Sequence, residues 1–592
     1  MCSRPKRICK DKCNQALGFV GEEDDPNLDI FDHNNGNDDD TVAENDSEDE
    51  IYSEDDTLEE YNLTLVDNTD DSSDDEVLLN DDNIAQLTSP SGRVWHNYNP
   101  LGMQGRQPAR NVISFHQGVR PGINPLTERE SLLLFLNDTM EITLRYSNLH
   151  GRRIISQWNR THPNNIKTFR LIDMFELEAF VGLLVLLGTF RSRYRDVDEL
   201  WSTKEGFPVC RATMTRERFL QIKCVLRFDD PLRRNREDVL APVRDMFENF
   251  NANLRRQYVP SPYLTIDEQL LEFHGRIRFK QYINTKPGKF GIKILWLCCA
   301  ETFYMLNGVV YIGKGTVTSN QNLTTRAVSM HLMQPFLNTG RHLAGDNWFT
   351  TLELVDELRN NNTSYIGTLR NNNRSVPPIA KSTAQRQRKD SKVYYDNQGT
   401  ALVSFWDKGT KPVLLVDTLH RNVPVSAINE KPCTVTEYNR TKSGVDIANK
   451  RLRGLSCKRK CRRWPYAIFS NMIDIAGNNG SIIFSERHPE ISRKQEAHYN
   501  FLKNSGYQLV DRHIRRRLQN RQFLRETTKI ATRLLGYDLP EPHQEDGRML
   551  QSKRCAFCPS KKDRKTFVCC PRCHKARCND HRSNLCLDCS ME

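Results

Sequence analysis

Apolar side chains along the first half of the chain recur with the period of a helix. Between about residues 115 and 260, segments such as LTERESLLLFLNDTMEITLRYSN and DMFELEAFVGLLVLLGTF carry an apolar residue every three or four positions. The longest apolar run, Phe180 to Phe190, is bounded by Glu178 and Arg191 and is shorter than the roughly 20 residues that a membrane span needs. We therefore predict a buried helix there and no membrane partner.

Short apolar runs separated by Gly, Pro and Asn follow, and they predict strands. YLTIDEQLLEF, KILWLCCA and FYMLNGVVYIG come first, then a helix, a strand ending in RHLAGD, a second helix and the strand YIGTL. This order, β-β-β-α-β-α-β, matches an RNase H-like sheet. A polar and then strand-like stretch, including YYDNQGTALVSFWD, indicates a β-rich insertion, and helical periodicity returns at GVDIANKRL. The fold class that we predict is α/β.

Charge divides the chain more sharply than its net value of +10 indicates. Residues 21 to 90 contain 27 acidic and no basic side chains, which predicts a disordered segment. The remaining residues hold 85 basic and 48 acidic side chains, an excess of +37. This excess favours double-stranded DNA as a partner, because Lys and Arg displace counterions condensed on phosphates; a merely soluble basic surface is the alternative. Since no apolar stretch follows the basic N-terminus, we expect an intracellular protein.

Three aspartates fall where a metal-dependent nuclease site would need them. Asp267 lies in the middle of the first strand, Asp346 follows a later strand, and Asp446 lies near the start of a helix after the insertion. In an RNase H-like order these places adjoin, and phosphoryl transfer with two Mg²⁺ or Mn²⁺ ions needs carboxylates from separate elements. Taken alone, each aspartate is better explained by a solvated or helix-capping role. Asp267 is the strongest candidate, since an uncompensated carboxylate in an apolar strand is costly.

Five sequence blocks carry a resemblance to a known family. LTIDEQLLEFHGR, NTKPGKFGIKIL, AGDNWFT, TKSGVDIANK and RRWPYAIFSNMID resemble the signature blocks of piggyBac transposases, and the match runs in order from about Asn99 to the C-terminus. The resemblance implies an RNase H-like enzyme that binds terminal inverted repeats, nicks DNA, forms hairpin ends and inserts at TTAA. It also implies that Asp267, Asp346 and Asp446 are the catalytic DDD triad and bind two Mg²⁺ or Mn²⁺ ions.

One position departs from the family. The family has a further acidic residue three positions after the third aspartate, where this chain has Asn449. An amide ligates Mg²⁺ more weakly than a carboxylate, so one interpretation is a transposase-derived protein that binds DNA without cutting it. The other is an active transposase in which Asn449 only supports the three ligands through hydrogen bonds. The sequence leaves both interpretations open.

Two basic clusters follow the third aspartate, and their side chains are candidate contacts to the DNA backbone. These candidates are Lys458, Arg459, Lys460, Arg462, Arg463, Arg515 and Arg516. A solvated face or a nuclear-import run is the alternative for the first cluster. In the resembling family the helical segments on both sides of the catalytic domain pack together as a dimerisation and DNA-binding domain. The resemblance therefore implies a split all-α domain and a homodimer.

A cysteine-rich segment at the C-terminus predicts a small zinc domain. Its four ligand pairs, each with two intervening residues, are Cys555 and Cys558, Cys570 and Cys573, Cys578 and His581, and Cys586 and Cys589. Eight ligands provide for two structural Zn²⁺ ions, whose binding supplies most of the folding energy of so short a module. Spacing leaves the pairing open. The resemblance implies a cross-brace, in which the first and third pairs bind one ion and the second and fourth pairs bind the other; sequential pairing is the alternative.

Basic residues around these ligands favour a role in DNA binding. Lys561 and Lys562 are candidate DNA contacts, and the basic clusters of this segment also resemble a bipartite nuclear-import signal, so we expect a nuclear protein. Cross-brace modules also serve as ubiquitin ligases, so the fold does not decide the role. A ligase role would explain neither the catalytic blocks nor the basic helices.

These patterns together predict eight segments. They are an acidic disordered region (1–114), the first part of the helical dimerisation and DNA-binding domain (115–262), the first part of the catalytic domain (263–371), the insertion domain (372–432), the second part of the catalytic domain (433–455), the second part of the helical domain (456–535), a linker (536–551) and the zinc domain (552–592).

Overall fold

The computed structural model describes most of the chain after residue 85. The described residues are 86–102, 113, 115–313, 325–428, 430–492, 496–519, 525–536, 548–559, 561–570 and 573–581. The acidic segment up to residue 85, and the predicted zinc ligands Cys586 and Cys589, lie outside them.

The helices and strands of the described residues are numbered here in chain order. The helices are α1 (Glu128–Thr161), α2 (Met174–Thr189), α3 (Val197–Leu200), α4 (Pro208–Thr213), α5 (Arg216–Val225), α6 (Arg244–Gln257), α7 (Thr325–Met333), α8 (Leu352–Asn360), α9 (Pro378–Lys381), α10 (Cys433–Thr441), α11 (Gly444–Gly454), α12 (Trp464–Arg487), α13 (Pro489–Ser492), α14 (Ala497–Gln519) and α15 (Arg525–Leu534). The strands are β1 (Gln86–Thr88), β2 (Val94–His96), β3 (Gly118–Val119), β4 (Tyr258–Val259), β5 (Tyr263–Glu272), β6 (Lys280–Tyr282), β7 (Phe290–Cys299), β8 (Met305–Val310), β9 (His342–Gly345), β10 (Ser364–Leu369), β11 (Asp390–Asp396), β12 (Ala401–Trp406), β13 (Val413–Asp417), β14 (Arg548–Arg554) and β15 (Lys565–Val568).

A large mixed sheet forms the centre of the fold. Within the described residues eleven strands join it, in the order β1-β2-β11-β12-β13-β10-β9-β5-β7-β6, with β8 paired to β7. Strand β9 runs parallel to both β5 and β10, and β7 runs antiparallel to β5. The elements from β5 to β10 follow the predicted order, apart from the short strand β6. The mixed α/β class is therefore observed.

The predicted insertion does not form a sheet of its own. Strand β13 pairs antiparallel with β10, so β11, β12 and β13 extend the central sheet beyond its parallel part. Their outer side chains form a separate apolar cluster that includes Tyr395, Val403, Phe405 and Leu415. The predicted boundary at residue 372 therefore separates two parts of one continuous sheet.

Residues 86–102 correct the prediction that the first 114 residues are disordered. Strand β2 pairs with β11, and Trp95 on β2 is fully buried. Arg93 forms ion pairs with Asp356, at 2.9 Å, and with Asp396. The sequence pattern did not predict this element because three residues between polar neighbours show no periodicity, and the stabilising partners lie more than 250 residues away.

Helices from both sides of the sheet-forming region pack against one another. Helix α2, which contains the predicted buried run, crosses α14 at a close contact between two glycines: a Cβ on Gly182 would lie 2.9 Å from the carbonyl oxygen of Gly506. Helices α1 and α12 are joined by a 2.8 Å hydrogen bond from Ser131 Oγ to the carbonyl of Gly480. The two helical regions therefore form one packed unit. None of the helices in the described part of the chain is apolar over a length sufficient for a bilayer.

Candidate active site and zinc cluster

Two of the three predicted aspartates are neighbours at one end of the parallel strands. Asp267 lies within β5, and Asp346 directly follows β9. The register of these strands pairs Ile266 with Gly345, so the next residues along each chain, Asp267 and Asp346, lie side by side. Because β5 and β9 are parallel neighbours in the sheet, residues at corresponding positions point to the same end of the strands. The proximity of Asp267 and Asp346 therefore follows from the sheet order.

Asp446 reaches the same edge because helix α11 starts very close to β5. A Cβ on Gly444 would lie 2.3 Å from Cγ2 of Thr265, a distance that no side chain tolerates. The hydroxyl of Thr265 donates to the carbonyl of Lys442 at 3.1 Å, which holds the start of the helix on the strand. Asp446 lies in the first turn of α11 and is 58% exposed. Gly444 is thus a positioning residue, and the sequence pattern alone did not indicate it.

The carboxylates at this edge disfavour one another's charge. Burial raises the pKa of Asp267 well above its ordinary value, and the charges of Asp446, Glu268 and Asp346 add to the effect, while Lys286 opposes it. Lys286 Nζ lies 3.2 Å from Asp446 Oδ1 and 3.9 Å from Glu268 Oε1. Burial acts to lower the pKa of Lys286. The negative charges of Asp267, Asp446 and Glu268 outweigh burial and raise that pKa. The site therefore combines an excess of negative charge with Lys286, which is held against Asp446 and Glu268.

Asp346 is oriented by the loop that follows it. Its Oδ1 accepts hydrogen bonds from the backbone amides of Trp348 at 2.9 Å and Phe349 at 3.4 Å. Burial and the charge of Glu268 raise the pKa of Asp346, whereas these amides and Lys293 act to lower it. Lys293 Nζ lies 4.1 Å from the ring centroid of Trp348 and 3.4 Å from Glu268 Oε2. Trp348, which the sequence left between core packing and DNA contact, is half-buried against Lys293.

Glu268 is a further acidic residue at this place, and the sequence pattern did not predict a role for it. It contacts both Lys286 and Lys293 and so links the two lysines to the aspartates. The sequence indicated only that Glu268 directly follows Asp267 in a strand. Since successive side chains of a strand point to opposite faces, this position predicted that Glu268 lies away from Asp267.

Asn449 lies one helical turn after Asp446, on the same face of α11. Its Oδ1 is buried and has no hydrogen-bond partner among the described residues. A buried acceptor without a donor is costly. The position that departs from the family pattern therefore presents a buried oxygen without a hydrogen-bond donor, one helical turn from Asp446.

The first basic cluster divides into buried and exposed residues. Arg459 is 6% exposed, and its guanidinium donates to the carbonyls of Ser192, at 2.9 Å, and Arg195. Arg463 donates likewise to backbone carbonyls, including that of Lys223 at 2.9 Å. The sequence predicted that Arg459 and Arg463 contact the DNA backbone, and these contacts correct that prediction. A guanidinium group that binds the protein's own carbonyl oxygens is not available to phosphates.

The remaining basic candidates differ in solvent exposure and in their ion pairs. Lys460 and Arg462 are exposed. Lys458 is half-buried, with Nζ 3.7 Å from Glu272. The other helical candidates are paired with acids: Arg515 lies 2.6 Å from Asp511, and Arg516 lies 2.5 Å from Asp173, the N-cap of α2. Lys561 and Lys562 are exposed in the C-terminal module.

Four of the predicted zinc ligands converge in that module. The ligand atoms of Cys555, Cys558, Cys578 and His581 all lie within 4.8 Å of one another, and across the described residues no other group of three or more His, Cys, Asp or Glu side chains meets that criterion. Cys558 Sγ lies 3.5 Å from Cys578 Sγ, and His581 Nδ1 lies 3.3 to 3.6 Å from the three sulfur atoms. Tetrahedral Zn–S and Zn–N bonds give separations of about 3.5 to 3.8 Å between ligands. The cluster can therefore bind zinc.

The grouping joins the first and third ligand pairs. Cys555 directly follows β14, and Cys558 lies in the turn after that strand. Cys578 and His581 come after β15. Because β14 and β15 pair with each other, the first and third ligand pairs lie close together. Cys570 is buried, and its pair partner Cys573 is half-buried. The other half of the predicted second site lies outside the described residues.

Comparison with known proteins identifies the class. The family model described as "Transposase IS4" matches residues 132–481, which is more than half of the chain. The cryo-EM structure of a piggyBac transposase synaptic complex with hairpin DNA is similar over 80% of this chain and 100% of that chain, with 30% sequence identity and a TM-score of 0.68. The fold is thus that of a transposase.

Curated relatives narrow the class to one family. Human PiggyBac transposable element-derived protein 3 is 23% identical over 355 residues, which cover 57% of this chain and 58% of the relative. Human PiggyBac transposable element-derived protein 2 is 21% identical over 323 residues, which cover 51% of this chain and 54% of the relative. The chain spans about half the length of these relatives. It belongs to the piggyBac family of transposases.

Proposed function

We propose that the chain is a metal-dependent DNA transposase that cuts DNA strands and joins them to new sites, using an RNase H-like catalytic unit. The observation that carries the proposal is the position of Asp267 and Asp346 side by side on neighbouring parallel strands, with Asp446 on the helix that starts against one of these strands. They come from two strands and a helix, which is the arrangement that two-metal phosphoryl transfer requires.

The donor set fits a divalent cation. Asp267, Asp346 and Asp446 offer oxygen ligands, which Mg²⁺ and Mn²⁺ prefer. Burial and neighbouring charges disfavour an ionised Asp267 in the protein alone, and a cation would relieve that cost. The unused Oδ1 of Asn449 is a neutral oxygen at the same face. When bound at this edge, two Mg²⁺ or Mn²⁺ ions would activate the attacking oxygen and stabilise the leaving one.

The protein's own groups contribute positioning and charge. Gly444 and the register of β5 and β9 bring the carboxylates together. The amides after Asp346 fix its rotamer. Lys286, which is held between Asp446 and Glu268, places one positive charge where a scissile phosphate would approach the carboxylates.

The substrate that we propose is double-stranded DNA, with the terminal inverted repeats of a transposon as the bound ends and TTAA as the target. The similar solved structure is a synaptic complex with hairpin DNA, which supports hairpin ends as intermediates. Lys460, Arg462, Lys561 and Lys562 supply exposed positive charge for phosphates. A nuclear homodimer, in which the packed helical unit joins two copies, completes the proposal, and two zinc ions would hold the C-terminal module.

A second candidate function is sequence-specific DNA binding without catalysis. Asn449 favours it, because the family position is acidic and an amide binds Mg²⁺ more weakly. The human relatives are named as transposable element-derived proteins, which supports the same candidate. Both functions need the DNA-binding surface, and only the first needs the three carboxylates.

An excision assay separates the two functions. A donor plasmid carries candidate transposon ends bordered by TTAA and is supplied with the unaltered protein, Asp267→Ala or Asn449→Asp. The transposase proposal expects precise restoration of TTAA with the unaltered protein, more of it with Asn449→Asp, and none with Asp267→Ala. If neither the unaltered protein nor Asn449→Asp excises while both bind the ends, the enzyme proposal fails and the binding protein survives.

A further inference from the structure

A basic loop with an exposed tyrosine follows helix α2. Its residues, Arg191 to Arg195, read RSRYR, so basic and uncharged side chains alternate. Tyr194 is 77% exposed, the largest exposed fraction of any aromatic side chain among the described residues. A single exposed ring needs no explanation by itself, but this ring stands on an anchored loop beside the proposed active site. The proposed metal, zinc and DNA sites use none of the residues of this loop.

The backbone of the loop is held from both sides. Arg191 has a φ of 50°, a left-handed conformation that a residue other than glycine keeps only when its surroundings hold it. Ser192 is 1% exposed, and its amide and hydroxyl donate to the same carbonyl in the last turn of α2, at 3.1 and 2.8 Å. From the other side, the guanidinium of Arg459 donates to the carbonyls of Ser192 and Arg195. Tyr194 is therefore presented from a fixed backbone.

The loop adjoins two elements that carry proposed catalytic aspartates, helix α11 and strand β5. A Cβ on Gly188, near the end of α2, would lie 2.6 Å from the carbonyl oxygen of Leu455, directly after α11. Arg193 Nη2 lies 3.8 Å from Oε2 of Glu272, the last residue of β5. Glu272 lies about 17 Å along this strand from Asp267. That separation equals about five stacked base pairs, so DNA bound at the aspartates can also reach the loop.

One face of the Tyr194 ring is covered by the preceding arginine. Arg193 Cζ lies over the ring, 4.4 Å from its centroid, and the same guanidinium donates to the Tyr194 hydroxyl. Since the residue is still 77% exposed, the other face of the ring is open to solvent. An open aromatic face beside cationic groups is the arrangement on which proteins stack the bases of single-stranded nucleic acid.

Positive charge lies beside the ring. Arg191 is exposed, whereas Arg195 forms an ion pair with Glu199 at 3.3 Å. Lys458 Nζ lies 3.7 Å from Glu272, the same carboxylate that the loop contacts, so the first basic cluster adjoins the loop. Phosphates on either side of a base stacked on the ring would meet this charge.

We propose that Tyr194 stacks on an unpaired base of the substrate DNA, on the face of the ring that Arg193 leaves open, while Arg191 faces the adjacent phosphates. The inference rests on the proposed function, because a protein that cuts and rejoins DNA strands meets unpaired bases beside its catalytic carboxylates. It adds a subsite that distinguishes unpaired from paired bases. Stacking uses the π-face that every base has, so the subsite does not read sequence.

The test compares the binding of two DNA probes to the zinc-loaded full chain by fluorescence anisotropy, without added Mg²⁺ or Mn²⁺ so that the probes stay uncut. One probe is a blunt duplex of about 20 base pairs, and the other is the same duplex with a short single-stranded extension of adenines. The unaltered protein is expected to bind the extended probe more tightly. Tyr194→Ala is expected to weaken binding of the extended probe by at least about fivefold and binding of the blunt probe by less than about twofold.

Two variants serve as controls. Tyr194→Phe keeps the ring and should bind both probes as the unaltered protein does. Tyr98→Ala removes another exposed ring, 51% exposed, which follows strand β2 and is separated from β5 by five other strands of the sheet, and it should change neither affinity. A 2-aminopurine in the extension reports stacking directly, because its fluorescence falls when it stacks. It should fall with the unaltered protein and Tyr194→Phe but not with Tyr194→Ala.

The outcomes separate this subsite from the proposed function. The stacking proposal is overturned if the unaltered protein binds both probes equally, if Tyr194→Ala binds the extended probe as well as the unaltered protein does, or if Tyr194→Ala or Tyr98→Ala weakens binding of both probes alike. In each of these cases DNA binding by the unaltered protein persists, and the proposed function stands. Binding of neither probe by the unaltered protein would overturn the proposed function and the subsite together.

Discussion

At the scale of single residues, Asp267 carries an electrostatic cost that a metal ion at the proposed site would relieve. Burial and the charges of Asp446 and Glu268 disfavour its ionised form, and Lys286 only partly compensates. A cation bound beside the carboxylate would favour its ionised form. The unfavourable charge is therefore consistent with the proposed metal site.

The variant Asp267→Asn is expected to raise the free energy of unfolding of the metal-free protein by roughly 1–2 kcal/mol, because it removes a negative charge from among other carboxylates. Denaturant unfolding in the presence of a divalent-metal chelator measures the change, with zinc resupplied to both proteins. The matched control is Asp245→Asn, an exposed carboxylate on α6, which should change stability by less than about 0.5 kcal/mol. A destabilised Asp267→Asn would mean that Asp267 serves the fold.

The variant Gly444→Ala is expected to lower the free energy of unfolding by roughly 1–3 kcal/mol, since its Cβ would lie 2.3 Å from Thr265. The same helix offers a matched control, because a Cβ on Gly454 meets nothing within 4 Å. Gly454→Ala should be neutral or slightly stabilising. Thermal unfolding of both variants makes the comparison, and an equal effect of the two substitutions would contradict the close approach of α11 to β5.

Single residues also mark the limits of prediction from sequence. Asp267, Asp346 and Asp446 were selected from strand order and family blocks; the structure places Asp267 beside Asp346 and starts the helix of Asp446 against the same strand, and their role as metal ligands stays a prediction. Arg459 was selected from a basic run, yet it is buried against backbone carbonyls, since a count of charges does not reveal which face of the chain is covered.

At the scale of elements, the strands around the active site were predictable and the edge of the sheet was not. Strand β5 mixes apolar and polar residues, and β7 is apolar from Ile294 to Cys299, as central strands of a sheet often are. Strand β2 has only three residues and is stabilised by partners distant in sequence. The pairing of β13 with β10 likewise depends on long-range contacts that periodicity does not encode.

Strand β2 is expected to contribute substantially to stability. Trp95 is 0% exposed, so Trp95→Ala should lower the free energy of unfolding by about 3–5 kcal/mol. The neighbouring His96→Ala, whose side chain lies on the other face of the strand, is the control and should cost less than about 1 kcal/mol. Urea denaturation followed by circular dichroism measures both. Equal small effects would mean that residues 86–102 do not belong to the stable fold.

At the scale of the whole molecule, charge is separated along the chain. The acidic segment holds 27 acidic side chains, and the rest of the chain has an excess of +37. Local sequence could predict this separation, because it depends on composition alone. Which basic residues remain free for DNA could not be predicted, since that depends on folding.

Deleting residues 21 to 85 is expected to strengthen binding to double-stranded DNA at low salt and to steepen its salt dependence, because the remaining protein carries more uncompensated positive charge. Fluorescence anisotropy between about 50 and 200 mM salt measures both quantities. A protein with the segment replaced by a neutral Gly/Ser sequence of equal length is the control and should behave like the deletion. Unchanged affinity and slope in both proteins would contradict a whole-molecule effect of the acidic segment.

The most direct test of the proposed active site is Mn²⁺ binding to the zinc-loaded full chain, measured by electron paramagnetic resonance of free Mn²⁺. The unaltered protein is expected to bind Mn²⁺, Asp245→Asn to bind it equally, and Asp346→Asn to lose most of the affinity, because one ligand from the strand edge is gone. Equal Mn²⁺ binding by the unaltered protein and Asp346→Asn would contradict the assignment of Asp267, Asp346 and Asp446 as the metal site.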